Sequence, residues 1–327
     1  MKYSCIIPTF KRKDEVDELL DSFTKMEYKD FEVILADGTP DESLIPVIEN
    51  YKNKLTIVHI HRPMLGISES RNLGAENAKG EYIFFFDSDC IIPSDYFNKV
   101  NNFIQKESPD AFGGPDAAAI SFTPVQKAIN HTMTSLLTTG GIRGRKNYAG
   151  GRFYPRSFNM GVKKNVFIDV NGFSMLKVSE DIDLSIKMYN KGYKVCIIPE
   201  AFVYHKRRTN FRQFFKQVFR FGAGRINIGS LYKGELKLTH TIPALFLIYI
   251  LLIPFTLLIS KDMTIIFLMF LGFYIAVLFA ESLIKNRSLK VAFLTIVSLI
   301  VQFTGYGTGF ILNFWKVRIR KKEPVLF

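Results

Sequence analysis

Asp87 and Asp89 stand two residues apart, directly behind the apolar run Tyr82 to Phe86, in the stretch GEYIFFFDSDC. In an extended segment that spacing sends both carboxylates to one side. Two like charges held together repel each other unless a cation lies between them. The pair is therefore either a cation site or a turn with acids at its polar positions. A second acidic group, Glu180, Asp181 and Asp183 in SEDIDL, follows Ser179. Ser179 could cap a helix whose positive end favours these carboxylates, which by itself accounts for the composition.

The elements that carry these residues alternate. KYSCII, FEVILAD, LTIVHIH and YIFFFD read as strands, separated by the helix patterns KDEVDELLDSFTKM, DESLIPVIENY and ISESRNLGAENA. Strands spaced by helices imply a parallel, helix-covered sheet, whose ligands bind beyond the C-terminal strand ends. Pro8-Thr9, Asp37-Gly38 and Asp87-Ser88-Asp89 all fall at those ends. The chain has no Walker-type loop and no Gly-x-Gly-x-x-Gly after its first strand, so kinase and dehydrogenase readings lose support.

The 327 residues allow one large domain plus an appendage, or two domains. Three scattered cysteines, Cys5, Cys90 and Cys196, form neither a disulfide framework nor a zinc site and suit a reducing compartment. MKYSCIIPTF gives no export signal, so a cytoplasmic N-terminal part is expected. The net charge of +13 is localised: between Ala201 and His240, nine Lys or Arg face one acid, Glu235, with eight aromatic residues interleaved. That mixture fits single-stranded nucleic acid or an anionic membrane surface. The apolar segments beside it favour the membrane, and no nucleic-acid partner is expected.

Five motifs in order resemble a family 2 glycosyltransferase of the GT-A fold, over about the first 220 residues. CIIPTFKR resembles the nucleotide loop, and ILADGTPD the Asp-Asp-Gly-Ser loop with Ala36 in place of the first acid. GISESRNLGAENAKGEYIFFFDSD resembles the approach to Asp-x-Asp, FNMGVKKNVFIDVNGF the acceptor-side segment with Asn159, and SEDIDL the Glu-Asp-x-Asp-Leu element. The resemblance implies a nucleotide diphosphate sugar donor, a UDP-sugar first, and a divalent cofactor, Mg2+ or Mn2+, as Lewis acid at the diphosphate. Asp89 would be the direct ligand, Asp87 would bind the ribose or the metal through water, and His205 in FVYHKRR would complete the metal site. Asp37 would meet the base beside Pro8 and Thr9, Ser88 would lie in the donor loop, and Arg71 would reach the base or diphosphate. Asp181 would be the base of an inverting transfer, with Glu180 and Asp183 shaping the site. Loading of polyprenyl phosphate, processive synthesis and non-catalytic nucleotide-sugar binding are the alternatives.

Beyond the catalytic region (1–205), a basic segment (206–240) precedes an apolar one with a basic tail (241–327). Phe211, Phe214, Phe215, Val218 and Phe219 form the stripe of an amphipathic helix, read here as interfacial. QVFRF within it resembles the Gln-x-x-Arg-Trp element of polysaccharide synthases, which places Gln217, Arg220 and Phe221 on the acceptor side. Phe221 in the Trp position puts processive synthesis in doubt. Ile242–Ser260, Met263–Ala280 and Val291–Trp315 are each long enough, at about 1.5 Å per residue, for a hydrocarbon core of roughly 30 Å. The expected enzyme is a multi-pass protein of the cell membrane, its catalytic domain cytoplasmic and its acceptor a lipid-linked saccharide of envelope, capsule or exopolysaccharide assembly. Three crossings would leave the basic tail outside, against the positive-inside rule. Gly305, Gly307 and Gly309 are therefore read as the turn of a re-entrant hairpin. The glycine-rich, basic segment from Thr138 to Arg156 is either a solvated loop or a mobile cover.

Overall fold

The computed structural model describes residues 2–117, 122–139, 152–176 and 178–321. The predicted alternation forms: β1 (Tyr3–Thr9), α1 (Lys13–Thr24), β2 (Phe31–Asp37), α2 (Ile45–Glu49), β3 (Ile57–His61), α3 (Ile67–Asn77) and β4 (Tyr82–Phe86). There follow β5 (Cys90–Ile91), α4 (Tyr96–Glu107), β6 (Ala111–Gly113), β7 (Asp116–Ala117), α5 (Pro124–Thr134) and α6 (Leu136–Thr139). Next come β8 (Asn159–Lys163), α7 (Lys164–Asp169), α8 (Glu180–Asn190), β9 (Val195–Ile197) and β10 (Val203–His205). The chain continues through α9 (Phe211–Leu231), α10 (Ile242–Thr256), α11 (Lys261–Asn286) and α12 (Leu289–Phe314), which ends in a π-helical turn, Trp315–Ile319.

Seven strands make one sheet in the order β3-β2-β1-β4-β8-β6-β9. The first four are parallel, and β8 runs antiparallel to both β4 and β6. A small sheet, β5-β10-β7, follows the Asp87–Asp89 loop. β4 is apolar without a break because it is covered on both faces. Tyr82, Phe84 and Phe86 enter one core, with Leu19, Phe23 and Phe97, while Ile83 and Phe85 enter the other, with Phe167 and Phe173.

The chain divides into two compact units. One holds the strands with α1–α4, α7 and α8. The other holds α5, α6, residues 178–179 and everything from Arg207 onward, so a helix pair from the middle of the sequence joins the C-terminal helices.

Within the second unit the apolar stripe of α9 is covered by protein. Phe214 and Val218 are buried with Ile129 and Met133 of α5. Phe215 is only partly covered, its ring reaching Gly305 of α12, and the cations Arg212, Lys216 and Arg220 face outward. The stripe read as interfacial is thus largely a packing face, because α5 supplies an apolar partner from a distant part of the sequence. The re-entrant turn is also absent: α12 is one continuous helix of 26 residues. Its glycines serve close approach instead. A Cβ on Gly309 would collide with the Phe219 carbonyl, one on Gly222 with the Tyr306 carbonyl, and one on Gly305 would lie 2.7 Å from Val218. Small residues that let helix backbones approach look, in sequence, like helix breakers.

Candidate active site

The C-terminal ends of the parallel strands bring the first group together. Thr9 of β1 lies in register with Asp37 of β2, which lies in register with His61 of β3. Asp37 is buried; its carboxylate accepts the Thr39 N–H at 2.9 Å and sits 3.4 Å from His59 Nε2. Burial pushes this carboxyl up, but the hydrogen bonds from His59 and Thr39 outweigh it and hold the group below its ordinary value. Thr9 Oγ1, also buried, has no hydrogen-bond partner among the described residues, an unmet polar atom at the end of β1. Pro8, the preceding residue of the same strand, is buried in register with Ala36.

Beyond β4 the two aspartates part company. Arg71, on α3 and 1% exposed, donates to Asp87 Oδ1 and to Glu180 Oε1, each at 2.8 Å, with its guanidinium over the Phe173 ring. The residue expected to reach the base or diphosphate is instead a buried brace between two carboxylates, since both ends of its fork are engaged. Burial pushes the Glu180 carboxyl above its ordinary value; Arg71 opposes this and Asp181 adds to it.

Asp89 turns the other way, to His205 Nε2 at 3.1 Å. The small sheet fixes this pair, because Cys90 of β5 lies opposite His205 of β10, and the imidazole lies against the Phe158 ring, tilted 33° to it with centroids 4.4 Å apart. Its second nitrogen, Nδ1, is buried with no hydrogen-bond partner among the described residues. One carboxylate oxygen and one imidazole nitrogen side by side fit part of the ligand set of a divalent cation. The Cys90 thiol also lies within 4.8 Å of them. It points to the Phe158 carbonyl, and burial pushes it far above its ordinary value, so it is an unfit ligand. Ser88, between the aspartates, is buried.

The acids of α8 occupy three environments. Glu180 joins Arg71; Asp181 accepts the Ile182 N–H and lies 3.4 Å from Arg156 Nη1; Asp183 is buried against Lys187 at 2.8 Å. Ser179, expected to cap this helix, has a φ of 72°, in the left-handed region and not the extended one of an N-cap.

Asn159, read as facing the acceptor, is fully buried opposite Phe86; its amide accepts from the Tyr96 hydroxyl at 2.6 Å and donates to the Ala201 carbonyl at 2.9 Å. It holds strands together behind the aspartate loop. Gln217, Arg220 and Phe221 belong to α9 in the other unit, with Phe221 packed in the α5–α9 cluster. Of the segment from Thr138 to Arg156, residues 140–151 lie outside the described residues. His59, His61 and Arg156 were missed as individual site residues. The two histidines alternate in IVHIH at the end of the strand next to Asp37, a spacing that puts both on one face.

A model of glycosyl transferase family 2 matches residues 4–178, from β1 through the aspartate loop to the approach of α8. The chain belongs to that family. This family 2 glycosyltransferase is 28% identical over 219 residues to an uncharacterised glycosyltransferase of Haemophilus influenzae, a match covering 63% of this chain and 70% of that protein. It is 33% identical over 114 residues to the poly(ribitol-phosphate) β-N-acetylglucosaminyltransferase TarS of Staphylococcus aureus, across 34% of this chain and only 20% of TarS. Residues 1–349 of TarS, solved in complex with UDP-GlcNAc, superpose with a TM-score of 0.50 at 19% identity, covering 98% of this chain and 93% of that one. The mannosyltransferase PcManGT of Pyrobaculum calidifontis, solved with GDP-Man and Mn2+, gives 0.63 at 13% identity, covering 96% and 87%. The fold is GT-A.

Proposed function

We propose that this glycosyltransferase moves a sugar, with inversion, from a nucleotide diphosphate sugar, a UDP-sugar first, to a lipid-linked saccharide at a membrane. The observation that carries the reading is the pairing of Asp89 with His205 beside the Asp87–Arg71–Glu180 brace, on the sheet edge where β1 and β2 end in Thr9 and Asp37. The donor complexes of the TarS and PcManGT structures, one of them with Mn2+, support a metal-dependent transfer from a sugar nucleotide.

Asp37 and Thr9 would receive the base and Asp87 the ribose. Asp89 and His205 would hold a divalent cation, which when bound supplies a Lewis acid for the leaving diphosphate. Asp181, paired with Arg156 at the start of α8, would take the proton from the acceptor hydroxyl as it attacks in line. Arg156 close to Asp181 would orient the carboxylate. The three long apolar helices support a membrane-borne acceptor on the cytoplasmic side, where nucleotide sugars are found.

The test is incubation of the detergent-purified chain with a panel of UDP-, GDP- and other sugar nucleotides, with and without chelator. Donor hydrolysis or transfer with one member, abolished by chelation and restored by Mg2+ or Mn2+, is the expected result. Full turnover in chelator would discard the metal assignment.

A further inference from the structure

The helical runs Leu238–Thr256, which contains α10, Lys261–Asn286 (α11) and Leu289–Ile319, which contains α12, are each long and apolar enough to cross a bilayer, but their surroundings differ. Only 6% of the apolar window is buried within the protein for α10 and for α11, against 44% for α12. We propose that the α10–α11 hairpin alone enters the hydrocarbon, and that α12 stays on the face of the bilayer from which the chain enters, as the helix on which α5 and α9 pack. The proposal rests on the membrane-bound reading above and adds which surface meets the lipid.

The first argument is the company α12 keeps. α9 runs parallel to it in constant register: Phe215 and Val218 beside Gly305, Phe219 beside Gly309, and Ala223 and Asn227 hydrogen-bonded to Asn313. That register sets the exposed cations Arg212, Lys216 and Arg220 alongside the middle and second half of α12. The first half is flanked by α5, through Thr132–Ser298 at 2.8 Å, and α5 brings the Asn130–Arg207 pair with it. A crossing by α12 would draw these cations to the depth of its own midpoint, where charges are strongly disfavoured.

The second argument is the hairpin itself. α12 meets it at the base, through Pro243, Ala244 and Phe246 of α10 and Leu278 and Ser282 of α11. Further out, α10 and α11 pair with each other, from Tyr249–Phe267 to Thr256–Thr264. The connector exposes Leu257, Leu258 and Ile259 at 58%, 83% and 76%, an apolar tip no water-facing loop would favour.

The third argument is charge. Lys233 and Lys237 precede α10, Lys285, Arg287 and Lys290 surround the α11–α12 joint, and Lys316, Arg318 and Arg320 follow α12. With α12 out of the hydrocarbon all three basic groups share one face. The conflict that three crossings create with the positive-inside rule then disappears.

The full chain, reconstituted in phospholipid vesicles, tests this through its single tryptophan. In a W315F background, F270W on α11 should be strongly quenched by lipids brominated deep in their acyl chains, and I300W at mid-α12 should not. In cells, R320C should react with an impermeant maleimide only after permeabilisation. Equal quenching of F270W and I300W, or labelling of R320C in intact cells, would overturn the proposal. So would an unquenched F270W in protein that still floats with the vesicles. Failure to float at all would instead refute the membrane-bound reading itself.

Discussion

Arg71 decides much of the site. Its fork holds Asp87 and Glu180 in place, and neither a point charge nor an apolar chain can span both. R71M should lower the unfolding free energy by about 3 kcal/mol, the lower end for breaking a buried ion pair because Asp87 is partly exposed. Chemical denaturation would show it, and R71K should recover only part. Asp89 makes the complementary case. On the proposed metal role, D89A should cut turnover roughly a hundredfold or more, since several kcal/mol of charge stabilisation would be lost. Asp37 is held below its ordinary 3.8, so its contribution to stability is present above that pH and is lost as pH falls through the lowered value. The gap in thermal midpoint between the unaltered protein and D37N should therefore be constant near neutrality and close in strong acid. A gap that widened on acidification would contradict the hydrogen bonds assigned to that carboxylate.

The packing of α9 on α12 turns on glycine. G309V would place its side chain against the Phe219 carbonyl, so the helices must separate, at a cost of about 1–3 kcal/mol or more. Gly272 of α11 is the internal control, because nothing lies within 4 Å of a Cβ built there. G272A should be neutral or slightly stabilising through helix propensity. Thermal melts of the two variants in detergent should separate clearly, and equal midpoints would mean the α9–α12 approach is looser than described. The strand elements were legible because their patterns are local: β4 reads as an unbroken apolar run only since both its faces are covered. The α9 stripe was legible as a stripe, but its partner is α5, encoded some eighty residues earlier, and periodicity carries no information about which surface a stripe meets.

Division into units follows from the same long-range packing. A chain truncated after residue 206 would keep α5 but lose α9 and α12, leaving Ile129 and Met133 without their cover. Such a fragment should aggregate or bind detergent, as size-exclusion chromatography would report. A monodisperse, detergent-free fragment would show that the sheet-bearing unit tolerates an uncovered α5. Cuts guided by composition alone fall at the end of β10, yet α5 departs from the sheet region well before it.

The sequence by itself determined the alternation of strands and helices, the family, and the strand ends at which Thr9, Asp37, Asp87 and Asp89 stand. All of these rest on local order along the chain: period, turn chemistry and motif spacing. Only the tertiary structure decided that Asp87 and Asp89 answer to different partners, Arg71 and His205, and that Asn159 is held behind the loop. It also decided that three glycines read as a break in α12 are where a second helix comes closest. Each of those outcomes depends on residues far apart in sequence meeting in space. A side chain's type states what it can bond to, whereas the fold selects which bond it makes.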